Sequence, residues 1–134
     1  MTSELDALFA AAKAAQARAY VPYSRFKVGA AIRTMGGMIH AGCNIENAAY
    51  PIGNCAEASA IASMVMAGEV RIAEVMVIGD GSALCTPCGG CRQRLREFGA
   101  PDVKVYIADQ NGVRATFTLG ELLPASFGPD NLSS

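Results

Sequence analysis

Two short cysteine segments constrain this chain more than anything else in it: Cys55-Ala56-Glu57 and Pro87-Cys88-Gly89-Gly90-Cys91. Each falls where a loop runs into a stretch that reads as a helix, Glu57 to Met66 in one case and Arg92 to Phe98 in the other. Between them Glu74-Val75-Met76-Val77-Ile78-Gly79 has the continuous apolar run of a central strand. A right-handed crossover around that strand sets the two helices side by side on one face of a sheet, with their N-termini together. Each thiol then lies near the positive end of a helix dipole, which favours the thiolate.

The rest of the pattern supplies a sheet for these helices. Leu5, Leu8, Phe9 and Ala12 recur at helical spacing, so a helix is expected from about Glu4 to Arg18, with Ser3 and Asp6 as a capping pair. Phe26 to Ile32 reads as a strand, Gly36-Gly37 as a turn, and Met38 to Cys43 as the hairpin partner. Val103 to Ile107 and Val113 to Thr118 read as two more strands around the turn Gln110-Asn111-Gly112. Glu121 to Leu123 reads as one helical turn before a tail containing Pro and Ser. Met64, Met66 and Met76 read as core residues, and His40 as an ordinary surface residue of the hairpin. The order α-β-β-α-β-α-β-β predicts an α/β fold in which a mixed sheet of five strands is covered by helices. At 134 residues, positions 1–134 are expected to form one domain.

Three thiolates converging on one ion leave the fourth position of a tetrahedral zinc site open for water, which marks a catalytic rather than a structural site. Glu57, two residues beyond Cys55, can reach such a water without being a ligand, as a general acid–base. Plainer readings stand beside this one. Cys43, Cys85 or His40 would close a structural site as fourth ligand, and Cys85-Thr86-Pro87-Cys88 is a second Cys-x-x-Cys pair of the redox kind. Glu57 alone would be a first-turn acid favoured by the helix dipole.

A ligand two residues before a non-ligand Glu, followed later by Pro-Cys-x-x-Cys, is the zinc deaminase pattern. The chain resembles the small homotetrameric zinc-dependent cytidine deaminases over nearly its whole length. The matching stretches are Ala19-Tyr20-Val21-Pro22-Tyr23-Ser24, Phe26 to Ala31, Gly42-Cys43-Asn44-Ile45-Glu46-Asn47-Ala48-Ala49-Tyr50 and Cys88-Gly89-Gly90-Cys91-Arg92-Gln93. The resemblance implies a three-layer α/β/α sandwich and hydrolytic deamination of free cytidine and 2′-deoxycytidine in pyrimidine salvage. It implies one zinc ion per subunit on Cys55, Cys88 and Cys91, with Glu57 as the proton shuttle. It further implies Asn44 and Glu46 on the ribose hydroxyls and Phe26 packed on the pyrimidine. The Ala56 N–H and the Thr86 carbonyl would hold the base edge and its amino group. Phe127, and by the same logic Tyr50, would reach into a neighbouring subunit's site. Many relatives carry Arg after the catalytic Glu, whereas this chain has Ala58. The expectation is that the two helix N-termini, helped by Arg92 or Arg94, offset the charge instead.

Charge separates the alternatives. The net charge is about −1 and the eleven basic residues are scattered, so a polynucleotide-editing deaminase lacks its basic stripe. Glu4, Asp6, Lys13 and Arg18 interrupt the Ala-rich start, so neither a signal peptide nor a spanning helix fits, and a cytoplasmic protein without membrane partners is expected. Hydrophobic residues make up 51% of the chain, which points to apolar surface covered by self-association. A deaminase of another aminopyrimidine nucleoside, such as blasticidin S, and a zinc-stabilised binding module are the remaining readings.

Overall fold

The computed structural model describes residues 2–132; the last two serines of the tail, and Met1, lie outside the described residues. The apolar run around Val75 becomes the central strand β3 (Ile72–Gly79). Before it come α1 (Ser3–Gln16), β1 (Val28–Thr34), β2 (Ile39–Cys43) and α2 (Ala56–Met66). After it come α3 (Gly89–Phe98), β4 (Lys104–Asp109), β5 (Gly112–Thr118) and the short α4 (Leu119–Leu122). Single-turn 3₁₀ segments occupy Tyr50–Ile52 and Pro129–Asn131. The five strands form one sheet in the order β2-β1-β3-β4-β5. β3 pairs antiparallel with β1 and parallel with β4, so the sheet is mixed, as the sequence predicts.

Strand periodicity sorts the core into two layers. Ala30, Ile32, Val75, Val77, Val105 and Ile107 face the helices α2 and α3, meeting Ala56, Ala60, Met64 and Leu95. The alternate residues Ala31, Met76, Ile78 and Ala108 face α1, where they meet Leu8 and Ala12. Leu8, Met64 and Leu95 are fully buried, and such side chains each stabilise the fold by about 1.5–3 kcal/mol. The α/β/α sandwich is therefore three layers deep. Two glycines let the helices approach the β1–β2 hairpin. A Cβ on Gly29 would overlap the Ala12 carbonyl oxygen of α1 and lie 2.6 Å from the Gln16 nitrogen. A Cβ on Gly42 would collide with the Ala60 nitrogen and lie 2.6 Å from the Ser59 Cβ of α2.

Some local expectations change. Thr2, not Ser3, caps α1, its hydroxyl accepting from the Leu5 N–H at 3.1 Å. The helix closes at Gln16, two residues before the expected Arg18. Met66 is 87% exposed, because α2 turns Ala56, Glu57, Ala60, Ile61 and Met64 inward and leaves Val65 and Met66 outside. His40 is not an ordinary surface residue. Its side chain is 10% exposed, with Nε2 2.8 Å from Glu69 Oε1. The other carboxylate oxygen of Glu69 accepts from the Thr34 hydroxyl at 2.6 Å, so the network ties the hairpin to the turn after α2.

Hydrogen bonds from His40 first, and from the Thr34 hydroxyl second, hold the Glu69 carboxyl below its ordinary range. The folded state therefore favours the ionised carboxylate. Its stabilisation is complete above the unfolded carboxylate pKa and is lost as pH falls through the lowered folded value. Glu69→Gln should melt below the parent near neutrality, and the gap should close in melts recorded from about pH 7 down to about pH 3. A gap that persists unchanged in acid would show that the carboxylate charge contributes nothing.

Candidate active site

Cys55 and Cys88 are the N-cap residues of α2 and α3, both in extended backbone conformation. Neither side chain caps its own helix, so both sulfurs are available to a common point. Cys91 follows one turn into α3 and is fully buried, whereas Cys55 is half-buried and Cys88 exposed. The three sulfurs lie within 4.8 Å of one another. Zn–S bonds of about 2.3 Å in a tetrahedron set sulfurs roughly 3.8 Å apart, so a small inward adjustment closes the set on one ion. The donor set fits zinc: three thiols at two helix N-termini, with one tetrahedral corner left over. Cys43, Cys85 and His40 are not part of the cluster, and His40 is taken by Glu69.

Burial governs the charges here. It pushes the Cys91 thiol up strongly, with the neighbouring Glu57 charge adding to the effect. Burial also raises Cys55, while a hydrogen bond from the Cys91 backbone N–H draws Cys88 down. An ion entering the cluster therefore has to displace protons, which couples its binding to pH. Glu57, the second residue of α2, is 4% exposed. Burial raises its carboxyl, and a hydrogen bond from its own backbone N–H and the Arg94 charge oppose that only in part. A carboxyl so placed is displaced towards its protonated form relative to an exposed glutamate.

One cleft is lined by Asn44, Cys55, Ala56, Glu57, Thr86 and Cys88, together with Val28 and Cys85. Glu46 and Tyr50 line a second cleft with Tyr23, Ser24, Asn47 and Gly53. Most site residues expected from the sequence are thus divided between two openings, while Phe26, Cys91 and Phe127 line neither. Asn44 comes from the end of β2 and clamps the approach to β1: Oδ1 accepts from the Val28 N–H at 2.9 Å and Nδ2 donates to the Phe26 carbonyl at 2.9 Å. One amide N–H and one lone pair remain for a ligand. Glu46 Oε1 accepts from the Tyr23 and Ser24 N–H groups at 3.0 and 3.1 Å. Hydrogen bonding to Ser24 and Tyr23 keeps this carboxyl lower than usual, hence ionised.

The aromatic candidates are held outward. Phe26 is 40% exposed and follows Arg25, whose φ of 57° lies in the left-handed region. Its ring and the Cys85 side chain both pack where a Cβ on Gly79 would stand, the Cys85 Sγ being 2.6 Å from that point. Cys85 is thus a packed thiol, raised to about 11 by burial. Phe127 is 58% exposed, and its carbonyl accepts from Gln93 Nε2 at 2.8 Å.

Arg92, expected to offset the sulfur charge, and Gln93 instead take supporting roles that the sequence did not assign. Arg92 is committed to the loop before Cys88, donating to the Pro87 and Leu122 carbonyls at 2.7 and 2.8 Å and to Thr86 Oγ1 at 3.3 Å. Gln93 tethers the tail to α3. Of the two arginines expected to offset the sulfur charge, it is Arg94 that touches the cluster, its Nη1 donating to Cys91 Sγ at 3.6 Å. No motif announces such contacts; they depend on which way each residue of α3 points.

A three-layer mixed α/β fold with three cysteines and a buried carboxyl at paired helix N-termini defines a zinc-binding deaminase domain. Residues 2–107 match the cytidine and deoxycytidylate deaminase zinc-binding region, and the chain belongs to that family. The cytidine deaminase of Sporosarcina psychrophila is 40% identical over 130 residues, which is 97% of this chain and 96% of the relative. The crystal structure of cytidine deaminase from Burkholderia pseudomallei superposes with a TM-score of 0.85 at 45% identity, covering 95% of this chain and 100% of that one. Cytidine deaminase from Mycobacterium tuberculosis superposes with a TM-score of 0.79 at 36% identity, covering 92% of this chain and 96% of that one.

The cluster separates two adjacent cysteines sharply. Cys88→Ala should weaken zinc retention by more than the roughly 10–100-fold that losing an outer-sphere partner costs, read by competition with a chromogenic chelator. Cys85→Ala should leave zinc retention unchanged. Equal retention in both variants would remove Cys88 from the ligand set.

Proposed function

We propose that this chain hydrolyses the 4-amino group of free cytidine and 2′-deoxycytidine, giving uridine or 2′-deoxyuridine and ammonia. The observation that carries this reading is the buried carboxyl of Glu57, in the first turn of α2 that Cys55 caps, lining one cleft with Cys55 and Cys88 of the three-cysteine cluster. Cys55, Cys88 and Cys91 would hold the zinc, which supplies Lewis acidity and a water made nucleophilic at neutral pH.

The protein's own groups do the rest. Glu57 takes a proton from the attacking water as the C4–O bond forms and passes one to ring N3, making C4 electrophilic. It then takes the proton of the new C4 hydroxyl and gives it to the amino group as the C4–N bond breaks, so that the C4 carbonyl forms, ammonia leaves and the carboxylate is restored. The raised carboxyl of Glu57 suits both directions of transfer. The Ala56 N–H, one of the orphan donors at the start of α2, and the Thr86 carbonyl orient the pyrimidine edge. Arg92 supports that orientation by donating to the Pro87 carbonyl and the Thr86 hydroxyl. Phe26 supplies an apolar wall. Asn44 and Glu46 hold the sugar hydroxyls; an ionised Glu46 accepts from hydroxyls and repels phosphate, which favours a nucleoside over a nucleotide.

We further propose that the residues 1–134 act as one catalytic domain within a homotetramer. Phe127 and Tyr50, 58% and 74% exposed, then complete the sites of neighbouring subunits. The net charge of about −1, with scattered basic residues, supports a free nucleoside rather than a nucleic acid as partner. Among the described residues no helix is long and apolar enough to cross a membrane. A cytoplasmic salvage enzyme is the assignment consistent with both.

Loss of ultraviolet absorbance on adding cytidine measures the reaction directly. Glu57→Gln should retain zinc and lose about 10²-fold or more of the rate, the scale of a missing general acid–base. Turnover by a zinc-replete variant at the parental rate would remove Glu57 from the mechanism. No turnover by the zinc-loaded parent would remove cytidine as substrate.

A further inference from the structure

Three thiolates and one zinc dication sum to a formal charge of −1, held here against a buried sulfur and a buried carboxyl. Such an anion needs positive partners. Two helix N-termini supply about half a charge each, spread over backbone N–H groups. Among the described residues, Arg94 is the side-chain cation hydrogen-bonded to a sulfur of the cluster, with Nη1 3.6 Å from Cys91 Sγ. Residues three apart on a helix share a face, so Arg94 can fold back along α3 onto Cys91. Its Nη1 passes 3.5 Å from the point where a Cβ on Gly90 would stand, so the guanidinium lies over the first turn of the helix. The same charge is felt by Glu57. Arg92, two residues earlier, is turned to the loop and α4 instead.

We propose that Arg94 is a positioning residue of the metal centre: its Nη1–H···Sγ bond orients the Cys91 ligand and supplies the counter-charge of an anionic three-thiolate zinc site. This rests on the ligand assignment made above. A hydrogen bond to a charged group is stronger than a neutral one, and an N–H donor on a thiolate draws electron density from the sulfur that would otherwise go to the metal. Arg94 therefore acts on how firmly the ion is held and on the electronic character of the Cys91–metal bond. A merely solvated arginine on the helix surface would act on neither.

The test uses the full-length zinc protein, with Arg94→Met to keep the side-chain length without charge and Arg94→Lys to restore the charge with a single ammonium. The first readout is zinc transfer to a chromogenic chelator at neutral pH. The second is the sulfur-to-metal charge-transfer band of the cobalt-substituted proteins. Arg94→Met should transfer zinc about ten-fold faster, the scale of one charged hydrogen bond at a partly solvated site. Its charge-transfer band should move to longer wavelength, and Arg94→Lys should fall between Arg94→Met and the parent on both readouts. A folded Arg94→Met with parental transfer rate and band position overturns the proposal. So does faster transfer with an unmoved band and no recovery in Arg94→Lys, since that pattern is a packing effect. A parent without any cobalt–thiolate band would instead fail the ligand assignment itself, and the inference with it.

Discussion

The site depends on one constraint: α2 and α3 must enter the same face of the sheet with their first turns side by side. β3 enforces it. Because β3 runs parallel to β4, the chain between them must cross over, and the right-handed route lays α3 on the face that α2 already covers. Small residues then set the spacing. Ala56 and Ala60 of α2 are buried against the same cluster as Leu95 of α3, so small side chains flank the buried Glu57 on the inward face of α2. Gly42 extends the same economy to the hairpin, since its bare Cα lets β2 slide beneath Ser59 and Ala60. With that packing in place, two N-cap cysteines and a first-turn cysteine converge without help from any long loop.

Convergence brings an electrostatic conflict whose outcome defines the chemistry. A helix N-terminus favours an anion by about 0.3–1 kcal/mol at an exposed site, and up to about 2 in partly buried geometry. Burial works against the anion, and for Glu57, Cys55 and Cys91 it is the larger influence, since all three are displaced upward. Only Cys88, exposed and bonded to the Cys91 N–H, goes the other way. The cluster is thus primed to exchange protons for a cation, and its neighbouring carboxyl is displaced in the same upward direction.

Much of this was legible because it rests on short-range pattern. The continuous apolar run of the central strand, the Gly36-Gly37 and Gln110-Asn111-Gly112 turns, and the helical recurrence of Leu5, Leu8 and Ala12 place the strands and the long helices to within a few residues. The Cys-x-Glu and Pro-Cys-x-x-Cys segments locate the metal cluster, since N-cap and first-turn positions follow from the helix starts. What was hidden depends on orientation. His40 looked like a surface residue because nothing local reveals that Glu69, some thirty positions on, turns back to meet it. Met66 looked like core because composition alone does not give the phase of α2. Arg92, Gln93 and Arg94 are consecutive, yet one holds a loop, one a tail and one a sulfur, because successive helix positions are about 100° apart.

The aromatic rim argues that the protomer is built to meet something. Phe26, Tyr50, Ile52 and Phe127 range from 40% to 74% exposed, which no core requirement explains. Two of these rings are held out at a cost. Arg25, immediately before Phe26, and Ala125, two residues before Phe127, have φ of 57° and 50°, and left-handed backbone costs roughly 1–2 kcal/mol for a residue with a Cβ. Neither segment is slack. Asp80 Oδ2 accepts from the Lys27 N–H at 3.0 Å, while Arg96 Nε donates to Ser126 Oγ at 3.1 Å beside the Gln93 tether. A strained backbone held by such bonds leaves an apolar ring partly exposed, and the exposed part gains burial only when another surface covers it. That is the physical case for reading Phe26 as a ligand's wall and Phe127 as a neighbour's. It also explains why α3, which carries Cys91 at one end and the tail anchors along its length, ties the metal cluster to the rim that would shield it.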